Sequence, residues 1–291
     1  MTTQTLSAGS PSARKTRTGG DLIRQLLVIV SLAGVIVVNG LANALPINGQ
    51  ATGDISDRFQ VFFVPEGYVF SIWGVIYLAL IAYAIYQAMP AQAANPILRN
   101  IGYPFILSCG FNVAWLFLWH YEFFVWTLAA MVGLLLTLIL IYVRIGSGLR
   151  PAGLAEYWLL HFPFSIYLGW ITVATIANAT SLLDYLNWSG WGIGPATWAV
   201  IMLAIATVVG AAIGAARGDI AYVGVLVWAF VGIAVKHSAT PLVAYSALAA
   251  AGIVAASLLI GVPRRRQRLS KMGGSGRMAD DSSSAFTTTT A

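Results

Sequence analysis

Four groups of residues have the types and spacing to hold a flat apolar molecule. Asn39 and Asn43 are four apart, so they share one face if their segment is helical. The stretch PEGYVFSIWGVIY, Pro65 to Tyr77, sets Tyr68, Phe70, Trp73 and Tyr77 where a polar loop becomes an apolar run. Asn112 and Trp115 are three apart, with Trp119 a turn further on, and Trp170, Ala174 and Asn178 repeat at four. Indole and phenol rings offer wide stacking faces with one polar atom each, and amides both donate and accept hydrogen bonds. That chemistry is recognition of a ligand, not bond breaking.

A catalytic constellation is missing. His161 and Ser165 are four apart, but no third group orients the histidine and no G-x-S-x-G nucleophile turn occurs. His120, His161 and His237 sit on separate segments without ligand spacing, so no metal or cofactor is expected and His161 reads as a helix contact. Glu156 reads as solvated, with Arg150 as its alternative partner. Cys109 is the single cysteine, which excludes an intrachain disulfide, and no strand-to-helix phosphate loop occurs. The chain is expected not to be an enzyme.

Composition dictates the elements that position these groups. With 58% hydrophobic and 9% charged residues the chain is a polytopic membrane protein. Eight runs approach the roughly 20 apolar residues of a spanning helix, near 22–44, 67–89, 101–120, 123–144, 156–178, 196–216, 219–237 and 240–262. The expected fold class is all-α, a polytopic membrane helix bundle of about eight transmembrane helices.

Basic residues set the orientation. Arg14, Lys15, Arg17 and Arg24, then Arg99, Arg144, Arg150, Arg217 and the tail RRRQRLSK, fall on one side if the spans alternate. Asp54, Asp57, Arg58, Glu66, Glu122, Asp184 and Lys236 fall on the other. The reading is a plasma-membrane protein with both termini in the cytoplasm. The net charge of +6 follows from this bias and favours anionic membrane lipid, giving no reason to invoke nucleic acid. The basic lead before the first run and Ala42, Asn43, Ala44 also fit a secretory signal, but cleavage would spoil the alternation and the run is long for one.

Residues 1–21 and 263–291 carry too little apolar surface to offset ordering entropy and read as disordered cytoplasmic tails. The loop 46–66 is long and contains VFFV, so it is expected to fold back over the bundle, as a lid or as a plain amphipathic surface loop. In the last three spans, Gly210, Gly214 and Gly218, and Ala247, Ala251 and Ala255, form small-residue faces for close packing. Contact within the chain is the first reading and a homodimer the second.

The first, third and fifth spans run outward and the second inward, so the four groups converge in the outer half of the membrane. Together they describe an aromatic cavity under the long loop. Each aromatic taken singly also fits an interfacial belt, and each Asn also fits a helix-to-helix bond.

Residues 22–180 resemble the translocator protein, or tryptophan-rich sensory protein, family of five-helix membrane proteins. Pro65, Tyr68, Phe70, Trp73 and Tyr77 look like that family's approach to its second helix. Asn112 and Trp115 match its N-x-x-W on the third helix. Trp170, Ala174 and Asn178 match W-x-x-x-A-x-x-x-N on the fifth. The resemblance implies binding of a hydrophobic small molecule, a porphyrin or other tetrapyrrole-like ligand, in a sensory, regulatory or transport role. Residues 181–262 then read as a three-helix extension. The reading from a different class is a secondary transporter of small metabolites, or a structural assembly partner; the scarcity of buried charge argues against ion coupling.

Overall fold

The structure is a computed structural model that describes residues 18–45 and 47–285, with side chains described for 18–42, 44–45 and 47–272. Residues 1–17 and 286–291, which belong to the two expected tails, lie outside the described residues, as does the side chain of Asn43.

Apolar runs become helices whose ends coincide with capping residues. Helix α1, Gly19–Ala44, starts at a capping box in which Thr18 and Asp21 satisfy each other's backbone N–H groups. The loop that follows contains a short helix α2, Thr52–Asp57. A 3-10 turn, Gly67–Ser71, leads into α3, Ile72–Ala88. Helix α4, Pro96–His120, has Asn95 as its cap and proline at its start, where no N–H is needed. Helix α5 is Phe124–Ile145.

One continuous span then comprises α6, Leu154–Glu156, a π turn Tyr157–His161, and α7, Phe162–Tyr185. The π turn immediately precedes Pro163, whose ring cannot donate the usual helical bond. Helices α8, Pro195–Arg217, α9, Ile220–Lys236, and α10, Pro241–Ala285, complete the chain. Gly218 between α8 and α9 has φ 59°, and a Cβ there would meet the Gly261 carbonyl oxygen at 2.7 Å, so only glycine fits.

Among the described residues, seven helical stretches are long and apolar enough to cross a membrane: 19–42, 67–88, 96–120, 124–145, 154–185, 195–217 and 241–272. The expected span at 219–237 forms α9, of 17 residues, about 26 Å long against a hydrocarbon core of about 30 Å. It is nonetheless interior. Tyr222, Leu226, Ala229, Phe230 and Ile233 are fully buried, against α7 and α10. No strand occurs among the described residues. Helix α7 is the central element, and a T-shaped trio of Tyr83, Phe105 and Phe164 packs beside it.

The two ends of the bundle differ in charge, as the sequence alternation predicts. At the basic end Arg24 is buried, donating to the carbonyls of Leu98 and Ala93, and Arg99 grips Asp21 through two bonds of 2.6 and 2.7 Å. Gly102 leaves the room that the Arg24 stem occupies. At the same end Arg150 pairs with Glu156, which is therefore held rather than solvated, and Ser147 contacts His161 at 3.1 Å.

Two sequence expectations are corrected here. The tail after 262 continues as helix through Pro263, because Arg265 and Arg268 donate to carbonyls of Gly218, Gly148 and Ala216 at the ends of other elements. Capping those carbonyls gives the segment partners that its composition lacks. The last three helices are also no separate unit, since α9 packs on α7 and on the Gly67–Ser71 turn. Glycines 210 and 214 face Leu226, Val254 and Ser257 inside the chain, so the small-residue face brings α8 against α9 and α10.

Candidate ligand-binding site

Helices α3, α4 and α7 carry one aromatic stripe. Trp73 stacks on Tyr77, one turn later on α3, with ring centroids 5.3 Å apart and planes at 22°. Its edge meets Tyr167 at 6.0 Å and Trp170 at 6.2 Å on α7, and Phe70 meets Trp170 at 5.6 Å. Trp170 is buried, whereas Trp73 and Tyr77 are half-buried.

A hydrogen-bonded chain crosses behind these rings. Asn39 donates to the Asn112 side-chain oxygen at 2.9 Å, and Asn112 donates to the Tyr167 hydroxyl at 3.1 Å. Three helices are thereby tied at one depth. Bonds of this kind between membrane helices contribute on the order of 0.6 kcal/mol each.

One turn toward the acidic end, Trp115 stacks on Trp119 at 5.5 Å and 20°. Trp119 packs with Phe124, Phe59, Ile55 and Leu182 in a second cluster. Asn178 is buried and donates to the Thr127 hydroxyl at 3.1 Å. Ala174, half-buried, lies between Trp170 and Asn178 on α7 and packs against the main core.

Four polar atoms along this stripe are buried without a hydrogen-bond partner among the described residues: Tyr77 Oη, Trp115 Nε1, Trp170 Nε1 and Asn178 Oδ1. Native interiors leave few such groups unpaired. Three are donors and one is an acceptor.

The loop closes the acidic end over the stripe. Ile55 of α2 is fully buried against Trp119, whose indole N–H donates to the Thr52 carbonyl at 3.2 Å. Gln50 and Arg58 both donate to Glu122 at 3.0 Å, and these bonds hold its carboxyl below the usual carboxylate value. Lys236 reaches Asp57 at 3.2 Å, and His237 lies 3.3 Å from the Val64 carbonyl. Burial holds the His237 imidazole below its ordinary value.

Most of the sequence-predicted residues are brought together, with two exceptions. Tyr68 turns away from the stripe, its ring against Trp228 of α9 at 5.3 Å, and is 46% exposed. Asn43 lies one turn beyond Asn39 in α1, its side chain outside the described residues. The rings pack on one another, and the hollows near them lie elsewhere, against Val38, Leu41 and Phe117 and beside Trp188 and Trp198.

Sequence reasoning misses Thr127, Tyr167, Trp228 and Asp219. Tyr167 sits three residues before Trp170, so its spacing was readable, whereas Thr127, in the first turn of α5, has no such partner in sequence. Asp219 was read only as the first residue of the run 219–237. It is 4% exposed, accepting from Tyr142 at 2.8 Å and Ser165 at 2.6 Å while it caps α9 through the Tyr222 N–H. Ser165 thus serves Asp219 and not His161.

These features define an all-α polytopic membrane protein with an aromatic and amide stripe at one end of its bundle. A family model described as TSPO-like protein matches residues 25–260, and the chain belongs to that family. The match takes in α8, α9 and most of α10, so the helices read from sequence as an extension are part of the family unit. No curated protein and no solved structure matches the chain.

Proposed function

We propose that this protein binds a flat hydrophobic ligand of tetrapyrrole type between α1, α3, α4 and α7 and catalyses no reaction. Its role is sensory, regulatory or in transport, in a plasma membrane with both termini in the cytoplasm. The observation that carries the reading is the set of unpaired polar atoms on one aromatic stripe. An unsatisfied buried donor or acceptor costs about 1–3 kcal/mol. A planar ligand with acceptor groups at its rim would satisfy the indole and phenol donors while its faces stack on the rings.

Because Trp73 packs on both Tyr167 and Trp170, binding parts α3 from α7. Helix α3 is suited to that movement, since its contacts with α1 and α7 are sparser than those between α4 and α5. Titration of purified protein with protoporphyrin, read by tryptophan quenching, tests the reading; absence of saturable quenching would sink it.

A second reading, ion-coupled transport, is favoured by Asp219, because an ionisable residue buried in a membrane bundle is a functional candidate by default. The Tyr222 hydroxyl extends its contacts to Thr172 at 3.1 Å. Proteoliposome uptake that depends on a proton gradient and is abolished in Asp219→Asn would favour this reading. Uptake indifferent to both would remove it.

A further inference from the structure

A cleft of about 170 Å³ lies at the acidic end, outside the aromatic stripe, between the loop, the last turn of α7 and the first turns of α8. Its lining includes Phe62, Leu183, Asp184, Trp188, Trp198 and Met202, with no Lys, Arg or His. Such a volume is below the 300–1,000 Å³ typical of drug-sized ligands, so it admits a small head group and no macrocycle.

The walls are rigidly built. The Trp188 and Trp198 rings pack on each other at 4.9 Å and 55° with Trp191 against both, and Trp198 donates its indole N–H to the Gly190 carbonyl at 2.9 Å, which pins the connecting loop. An interfacial belt would account for the tryptophans but not for a carboxylate set beside them in a cleft. Asp184 accepts only a long bond of 3.4 Å from the Gln60 N–H, so its oxygens keep spare acceptor capacity.

Electrostatics select the sign of the occupant. This end holds five carboxylates, Asp54, Asp57, Glu66, Glu122 and Asp184, against two basic side chains, Arg58 and Lys236. Both are already committed, Arg58 to Glu122 and Lys236 to Asp57. The local field is therefore negative, and indole faces attract cations through the ring quadrupole.

We propose that this cleft binds a small alkylated ammonium cation, held by the Trp188 and Trp198 faces and by Asp184. The methyl groups of such an ion suit an apolar wall, and its charge is too diffuse to demand the hydration that a primary ammonium keeps. The site is independent of the stripe between α3 and α7.

Full-length protein in phosphatidylglycerol nanodiscs, titrated calorimetrically with choline and with its uncharged carbon isostere 3,3-dimethylbutan-1-ol, tests this. The expected result is saturable choline binding, no binding of the isostere, and affinity reduced roughly threefold or more in Asp184→Asn and in Trp188→Leu. Asp184→Glu should restore most of it. Equal binding of the isostere, no saturable binding of choline, or unchanged affinity in a folded Asp184→Asn protein would overturn the proposal. Repetition in phosphatidylcholine nanodiscs identifies the source: weaker apparent choline affinity means that lipid head groups occupy the cleft, and unchanged affinity means that a free cation does. Failure of protoporphyrin to bind would leave these outcomes untouched.

Discussion

Trp228 on α9 donates its indole N–H to the Val69 carbonyl at 3.1 Å, across 159 positions of sequence. That bond fastens the turn leading into the second span to a helix near the other end of the chain. Glu66 reinforces it by donating its backbone N–H to the Gly232 carbonyl at 3.1 Å. The segment that carries Phe70 and Trp73 is thus positioned from behind by α9, and its aromatic residues have different tasks. Tyr68 packs on Trp228, while Phe70 and Trp73 face α7.

Gly232 makes that approach close, because a Cβ there would lie 2.2 Å from Val69 Cγ2 and 3.2 Å from Pro65 Cβ. Val69 is fully buried and has nowhere to retreat. Gly232→Ala should therefore destabilise the protein by about 1–3 kcal/mol through overpacking. A lowered thermal midpoint in detergent, with weakened ligand quenching, is the expected outcome; an unchanged midpoint would show that the turn is not clamped.

The Asn39–Asn112 bond should be measurable as a pairwise energy. A double-mutant cycle of Asn39→Leu and Asn112→Leu is expected to give a coupling of about 0.6 kcal/mol, and no more than about 1.7. Asn112→Leu alone should cost more than Asn39→Leu, because it also strands the Tyr167 hydroxyl. The reverse order, from unfolding titrations, would contradict the hydrogen-bonded chain.

Acid should loosen the loop. Both relevant groups titrate below their ordinary values in the fold, His237 through burial and Glu122 through its bonds from Gln50 and Arg58. A depressed folded value means stability that is complete above the ordinary value and is lost as pH falls. His237 acts first, below its ordinary 6.5, and Glu122 only below its ordinary 4.5. Between about pH 8 and pH 5 the thermal midpoint should fall, and fall less in His237→Phe. An equal fall in both proteins would assign the pH dependence elsewhere.

The bundle and the charge of its two ends were legible because apolar run length and basic residue placement are one-dimensional signals. The pairing of residues across helices was not. Asn39 and Asn112 were visible as candidates, yet only packing reveals that they bond to each other and to Tyr167. The small faces at Gly210 and Gly214 were legible as close-packing sites, while nothing in the run 219–237 marked Asp219 as a buried cap that also accepts from Tyr142 and Ser165. The boundary at 180 failed for a related reason. The turn at Gly67–Ser71 meets the fifth span through Phe70 and Trp170, but it is also fastened to α9, which is distant in sequence. Disorder after 262 was inferred from composition, which does not register the carbonyls that Arg265 and Arg268 cap.

The central claim is that the stripe of Trp73, Tyr77, Trp115, Trp170 and Asn178 receives a planar ligand. Protoporphyrin titration of the purified full-length protein, followed by tryptophan fluorescence in wild type, Trp73→Phe, Trp170→Phe and Trp188→Phe, tests it most directly. The account predicts saturable quenching in the wild type, affinity lowered roughly three- to tenfold in the first two variants, and no change in the third. Quenching that never saturates, or that is identical in all four proteins, would contradict it.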